Sequence, residues 1–88
     1  KILNPRFGVD LRQYVFEPVS EFTTHSIRMR INSHLPRWEP RIDLENVFVE
    51  ADEDQQEYNI TLQINVPSLD VYGLSLRSVL NSNGYNFL

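Results

Sequence analysis

Two pairs of carboxylates are the side chains best spaced for acid–base chemistry in this 88-residue sequence. Glu17 and Glu21 flank Pro18, and Glu39 and Asp43 flank Pro40. A glycosidase needs two carboxyl groups ~5–9.5 Å apart across a sugar cleft, one of them with a raised pKa. Chain proximity supplies the separation but not the cleft, because so short a chain has little concave surface with which to desolvate an acid. Salt bridging and helix-start electrostatics account for these acids more simply. His25 and His34 are nine residues apart, which on a helix points them in nearly opposite directions, so they cannot share a metal. With no cysteine there is no disulfide, thiolate metal site or cysteine nucleophile. The three glycines are scattered, so no phosphate-cradling loop forms, and Ser, His and Asp occur without the order of a triad. No catalytic, cofactor-binding or metal-binding residue is assigned.

The segment Pro36-Arg37-Trp38-Glu39-Pro40-Arg41-Ile42-Asp43 differs in kind. Pro40 fixes its own φ and pushes Glu39 towards an extended conformation, so this corner is stiff. Trp38 can lie against the core as an amphipathic plug. Glu39 and Arg41 stand two apart in an extended run, which directs both heads the same way. Such a pair is either a structural clamp or a presented recognition element, and the residue types alone favour the clamp.

The elements that must hold this corner follow from periodicity. Of the apolar set Val9, Leu11, Tyr14, Val15 and Phe16, the spacing of Leu11, Tyr14 and Val15 predicts a short N-terminal helix, with Asp10 near its start and Pro18 ending it. Ser20 is an N-cap for the main helix, whose apolar stripe is Phe22, Ile27, Ile31 and Leu35, with Thr24 and Met29 at its margins. Pro36 disfavours helix at Leu35, so the helix should end or kink there. Residues 42–51 read as a strand with Val47, Val49 and Ala51 on one face and Phe48 and Glu50 on the other. Residues 58–66 alternate throughout: Tyr58, Ile60, Leu62, Ile64 and Val66 face one way, and Asn59, Thr61, Gln63 and Asn65 the other. Between them Asp52-Glu53-Asp54-Gln55-Gln56-Glu57 is an acidic hairpin loop, and Pro67 stops the second strand. Residues 72–80 fit a third strand better than a short helix, Ser82-Asn83-Gly84 is a turn, and residues 85–88 are an apolar tail.

The prediction is an α+β fold: a short N-terminal helix and one main amphipathic helix packed on a small antiparallel sheet of two to three strands. Apolar residues at 41% and charged residues at 23% suit one globular domain over residues 1–88. A domain of this size buries only about 60% of its unfolded surface, so it leans on neighbours. Its sheet edges have nothing to blunt them. The uncharged row Asn59, Thr61, Gln63 and Asn65 suits a face that another chain covers, although a solvated face explains it too. A net charge of −4 argues against a nucleic-acid or anionic-lipid partner, and no apolar run reaches the ~20 residues of a membrane helix. Seven of the eight cations are arginine, the cation suited to fixed carboxylate pairing at interfaces, although compositional drift accounts for it equally well.

In order, Asn4-Pro5-Arg6-Phe7-Gly8-Val9-Asp10-Leu11, Phe16-Glu17-Pro18, a helix, and Trp38-Glu39-Pro40-Arg41-Ile42 resemble the gene-25-like (GPW) family. These are baseplate wedge proteins of contractile-tailed, T-even-type phages, related to a component of type VI secretion baseplates. The resemblance implies a non-enzymatic structural part of the virion tail baseplate, assembled in the host cytoplasm. The tail sheath protein and other wedge proteins would be its partners, the tail tube a further neighbour, and no cofactor or small-molecule substrate is expected. It further implies a handshake-type sheet, similar to the sheath subunit's interlocking domain, that strands from sheath neighbours extend. Glu39, Pro40 and Arg41, with Trp38, would be the docking corner, the row Asn59, Thr61, Gln63 and Asn65 a covered face, and Pro5, Phe7, Gly8 and Asp10 the opening turn. The chain departs from the pattern in having Pro36 and Arg37 where a continuous helix would reach the corner. It opens on Lys1, and a segment upstream of it is expected. The alternatives are a lysozyme-like peptidoglycan hydrolase using Glu17 or Glu39 as acid, and a secretion-system homologue with the same wedge role.

Overall fold

The structure, a computed structural model, describes residues 10–88. It is an α+β domain in which the helix α1 (Glu21–Trp38) covers one face of a four-stranded antiparallel sheet. The strands are β1 (Asp43–Asp52), β2 (Glu57–Val66), β3 (Val71–Asn81) and β4 (Gly84–Phe87), and they lie in chain order.

The chain enters through a 3-10 turn, Arg12–Phe16, that buries Leu11 and Tyr14. Asp10 marks its start: its carboxylate accepts the Arg12 backbone N–H at 3.1 Å and the Arg12 Nε–H at 3.3 Å. The expected short helix is thus this tighter turn. Glu17 leaves it in an extended conformation, as a residue before proline must.

Ser20 caps α1, its hydroxyl accepting the Thr23 N–H at 3.2 Å. Ile27, Ile31 and Leu35 are fully buried against the sheet, worth ~1.5–3 kcal/mol each before entropy is charged. Phe22, expected in that stripe, is instead 79% exposed. Thr23 and Thr24 take the inward positions of the first turns, because local oxygens satisfy their hydroxyls: Thr24 Oγ1 donates to the Ser20 carbonyl at 2.8 Å. The helix does not stop at Leu35. It continues through Pro36 to Trp38 and closes with the Glu39 N–H on the Leu35 carbonyl at 2.9 Å. One missing N–H, in a last turn exposed to water, costs less than releasing the buried Leu35.

The period-two reading of β1 and β2 holds in register. Val47 pairs with Leu62, Val49 with Ile60 and Ala51 with Tyr58 on the inner face, while Phe48 pairs with Thr61 and Glu50 with Asn59 on the outer face. A bulge at Glu45 lets Ile42 and Leu44, of opposite parity to Val47, reach the same core. The loop between the strands is the expected acidic turn, and Pro67 opens a short 3-10 turn that ends β2. β3 is a strand, as favoured over a helix. Gly73 (φ +66°) forms its bulge opposite Asn65, a backbone conformation glycine adopts without strain.

The expected count of two to three strands is corrected to four. Residues 84–87, read as a tail, form β4 through a two-residue turn at Ser82 and Asn83. Tyr85 and Phe87 extend the inner face, pairing with Leu80 and Ser78.

Candidate functional site

The corner expected from the resemblance to serve in docking is built at the end of α1. Glu39, Pro40, Arg41 and Ile42 form a turn closed by the Ile42 N–H on the Glu39 carbonyl at 3.1 Å, with Pro40 at the position its fixed φ favours. Arg41 Nε–H donates to Glu39 Oε1 at 2.7 Å. The heads of Glu39 and Arg41 do meet, but through this turn; Glu39 (φ −131°, ψ 79°) is not in an extended run. The carboxylate is tucked in, its side chain 19% exposed, whereas the Arg41 side chain is 68% exposed. One edge of the guanidinium is therefore held in place while its remaining donors face outward. The hydrogen bond from Arg41 holds the Glu39 carboxyl below the usual glutamate range. That is opposite in sign to the raised pKa an acid catalyst needs. Trp38 is 58% exposed and does not plug the core: it stands on the outside of the last helical turn, beside the corner.

The corner leads directly into an edge. Ile42 is buried and Asp43 begins β1, which pairs with β2 and has no strand on its other side among the described residues. The opposite edge is stepped. β4 pairs with residues 78–81 of β3 and the Leu88 N–H continues to the Arg77 carbonyl at 2.8 Å, so residues 71–76 of β3 have no strand beyond them among the described residues.

The polar row divides in two. Gln63 and Asn65 are engaged within the sheet: Gln63 Oε1 accepts from Asn46 Nδ2 at 2.9 Å, and Asn65 Nδ2 donates to Glu45 Oε1 at 2.7 Å. Asn65 Oδ1 also accepts the Gly73 N–H at 2.8 Å, so this one side chain ties both bulges together. Asn59 and Thr61, by contrast, line a shallow depression of about 340 Å³ on the outer face with Phe48, Glu50, Arg77 and Leu88. Reading the row as uniform missed this difference, which follows from cross-strand register. Asp10 sits at the first turn as described above, and Pro5, Phe7 and Gly8 lie outside the described residues.

Sequence reasoning also missed Tyr85. Ser78 Oγ lies 3.1 Å from the Ile60 carbonyl and 2.9 Å from Tyr85 Oη, joining β2, β3 and β4 in the core. The signal that could have found β4 is Asn83-Gly84 between apolar runs, a common hairpin mark.

Comparison with curated proteins and with solved structures returned no match. The family model described as baseplate wedge protein gp25 matches residues 1–69. That span takes in the proline–glycine opening, α1, the Glu39–Arg41 turn, β1 and β2. No helix among the described residues is long and apolar enough to cross a membrane. The matched span is more than half of the chain, and on it the chain belongs to the gp25 baseplate wedge family.

Proposed function

We propose that the chain docks into the baseplate wedge through Glu39, Pro40 and Arg41 and templates the tail sheath by strand addition. The supporting observation is continuity: a turn-locked, solvent-exposed arginine runs straight into β1, whose outer edge has no partner strand among the described residues. A wedge protein offering a carboxylate to Arg41 would be held bidentately and at a fixed angle. It would leave the backbone of β1, or residues 71–76 of β3, open to an extended segment of the sheath protein. Backbone pairing needs little side-chain specificity, so a ring of such edges sets the register of the first sheath layer. The tail tube would run alongside. Asn59 and Thr61, on the outer face, are where an added sheath segment could find hydrogen bonds without the cost of burying charge.

Arg41→Ala tests the role of the corner. Incorporation into assembled baseplates should fall while the isolated domain stays folded with only a small change in melting temperature, since the Arg41 side chain is solvent-exposed. Unfolding of the isolated variant would make the corner a structural clamp and remove it from the interface. Phage tail genes, rather than secretion genes, beside this one would separate the phage role from the type VI counterpart.

A further inference from the structure

Asn83 is the one asparagine in the chain with glycine after it; the others precede proline, serine, valine, isoleucine or phenylalanine. The order matters chemically, because the backbone nitrogen of the next residue can close a five-membered ring on the asparagine amide carbon. A side chain on that next residue obstructs the approach, and glycine has none. The space at Gly84 is open as well: a β-carbon placed there would meet nothing within 4 Å.

The fold leaves this pair accessible. Asn83 lies in the two-residue turn between β3 and β4 and is exposed. Its backbone N–H is held by Asn81 Oδ1 at 2.9 Å, but its side-chain amide has no hydrogen-bond partner among the described residues. The side-chain amides of Asn46, Asn65 and Asn81, by contrast, each donate to a neighbouring strand. Gly84 sits at φ +111° and pairs with Asn81 at the start of β4. That strand has four residues, and so short an edge strand opens at far less cost than the whole domain, which frees the Gly84 nitrogen.

We infer that Asn83 is a site of self-modification, an amide that this hairpin converts to a carboxylate. In the opened turn the Gly84 nitrogen attacks Asn83 Cγ. The new C–N bond forms as the bond from Cγ to Nδ2 breaks, and the Gly84 proton leaves with the amide as ammonia. Water then opens the cyclic imide, its hydroxyl going to one carbonyl carbon and its proton to the nitrogen. Attack at Cγ gives aspartate. Attack at the backbone carbonyl gives isoaspartate, whose main chain runs through Cβ and Cγ and is longer by one atom.

A two-residue turn has no slack for that atom. The register of Leu80 with Tyr85 would be lost, and Tyr85 would leave Ser78. The new carboxylate also shares a surface depression with Glu57, so like charges add to the push. Residues 78–81 of β3 would then join residues 71–76 as open edge. No residue of the Glu39–Arg41 corner takes part, so the inference stands or falls separately from the docking role proposed above.

The test ages the full chain for weeks at mildly alkaline pH and physiological temperature. Peptide mapping by mass spectrometry should show a gain of about one dalton confined to the peptide holding Asn83. An isoaspartate-specific methyltransferase should label most of the converted chain, and Asn83→Ser, which keeps a turn-forming residue, should not be labelled. Hydrogen exchange at residues 85–88 should be at least about tenfold faster in the isoaspartate form, with β2 unchanged. Asn83→Asp, which carries the charge without the extra atom, should keep β4 protected. No conversion at Asn83, or faster conversion at another asparagine, would overturn the site. Unchanged exchange in the isoaspartate form, or equal loss of protection in Asn83→Asp, would overturn the undocking.

Discussion

Tyr85 offers the sharpest probe of β4, the strand that residue patterning left as a tail. Ser78 has one hydroxyl proton and two oxygen neighbours, the Ile60 carbonyl and Tyr85 Oη. The Ser78 O–H is shared between them, donating to the Ile60 carbonyl and to Tyr85 Oη, so the phenol oxygen accepts from Ser78. Burial pushes the Tyr85 phenol up to about 12 from an ordinary 10.0, against the opposing effect of the Ser78 hydrogen bond. A raised folded-state pKa gives stability that is complete below the unfolded value and is lost as pH rises through the folded one. At ~1.4 kcal/mol per unit, the shift amounts to roughly 3 kcal/mol in full, of which about half is lost by about pH 11. Tyr85→Phe loses one hydrogen bond, about 0.5–1.5 kcal/mol at neutral pH, but has no phenol to ionise. Urea unfolding of both proteins, followed by far-UV circular dichroism from about pH 7 to about pH 11, should show the wild-type advantage closing and then vanishing. Groups common to the two proteins cancel from the difference. A constant gap across this range would mean that Tyr85 is not held in the core, and β4 would not be docked as described.

Two further outcomes follow from the core and the corner. Leu62→Asp sets an unpaired carboxylate at a fully buried position in the middle of β2, so the variant should be unfolded at room temperature; a cooperative melt near that of wild type would overturn the strand register. Glu39 should titrate by NMR below an ordinary glutamate and return towards it in Arg41→Ala; its contribution to stability is present above the unfolded pKa and disappears as pH falls through the folded one. An unshifted Glu39 would mean that the ion pair does not persist in solution.

α1 protects one face of the sheet, but among the described residues β1 has an open edge and β4 covers only the C-terminal portion of β3. Open edges are hazards in a free protein. The expectation that nothing blunts the edges is corrected for β1: it carries Asp43, Glu45, Glu50 and Asp52 and a bulge at Glu45, and charge and irregularity both discourage indiscriminate pairing.

Short-range physics was enough to define much of this molecule from its residues alone. Alternation fixed β2 and its inward set, because one slip of register would turn every apolar side chain to water. Ser20 set the start of α1 through a bond to its own neighbour, and the proline-bounded corner marked where a charged pair would be displayed. Features that depend on distant partners were not legible. Pro36 is tolerated because the sheet rewards burying Leu35, and Phe22 faces outward because two threonines fill the inner positions of the first turns. The polar row of β2 separates into bonded and open residues only once Glu45, Asn46 and Gly73 come alongside. Residues 84–87 become a strand because β3 supplies hydrogen bonds and Ser78 receives Tyr85. Four residues cannot pair with themselves, so only the tertiary fold decides that they are part of the sheet.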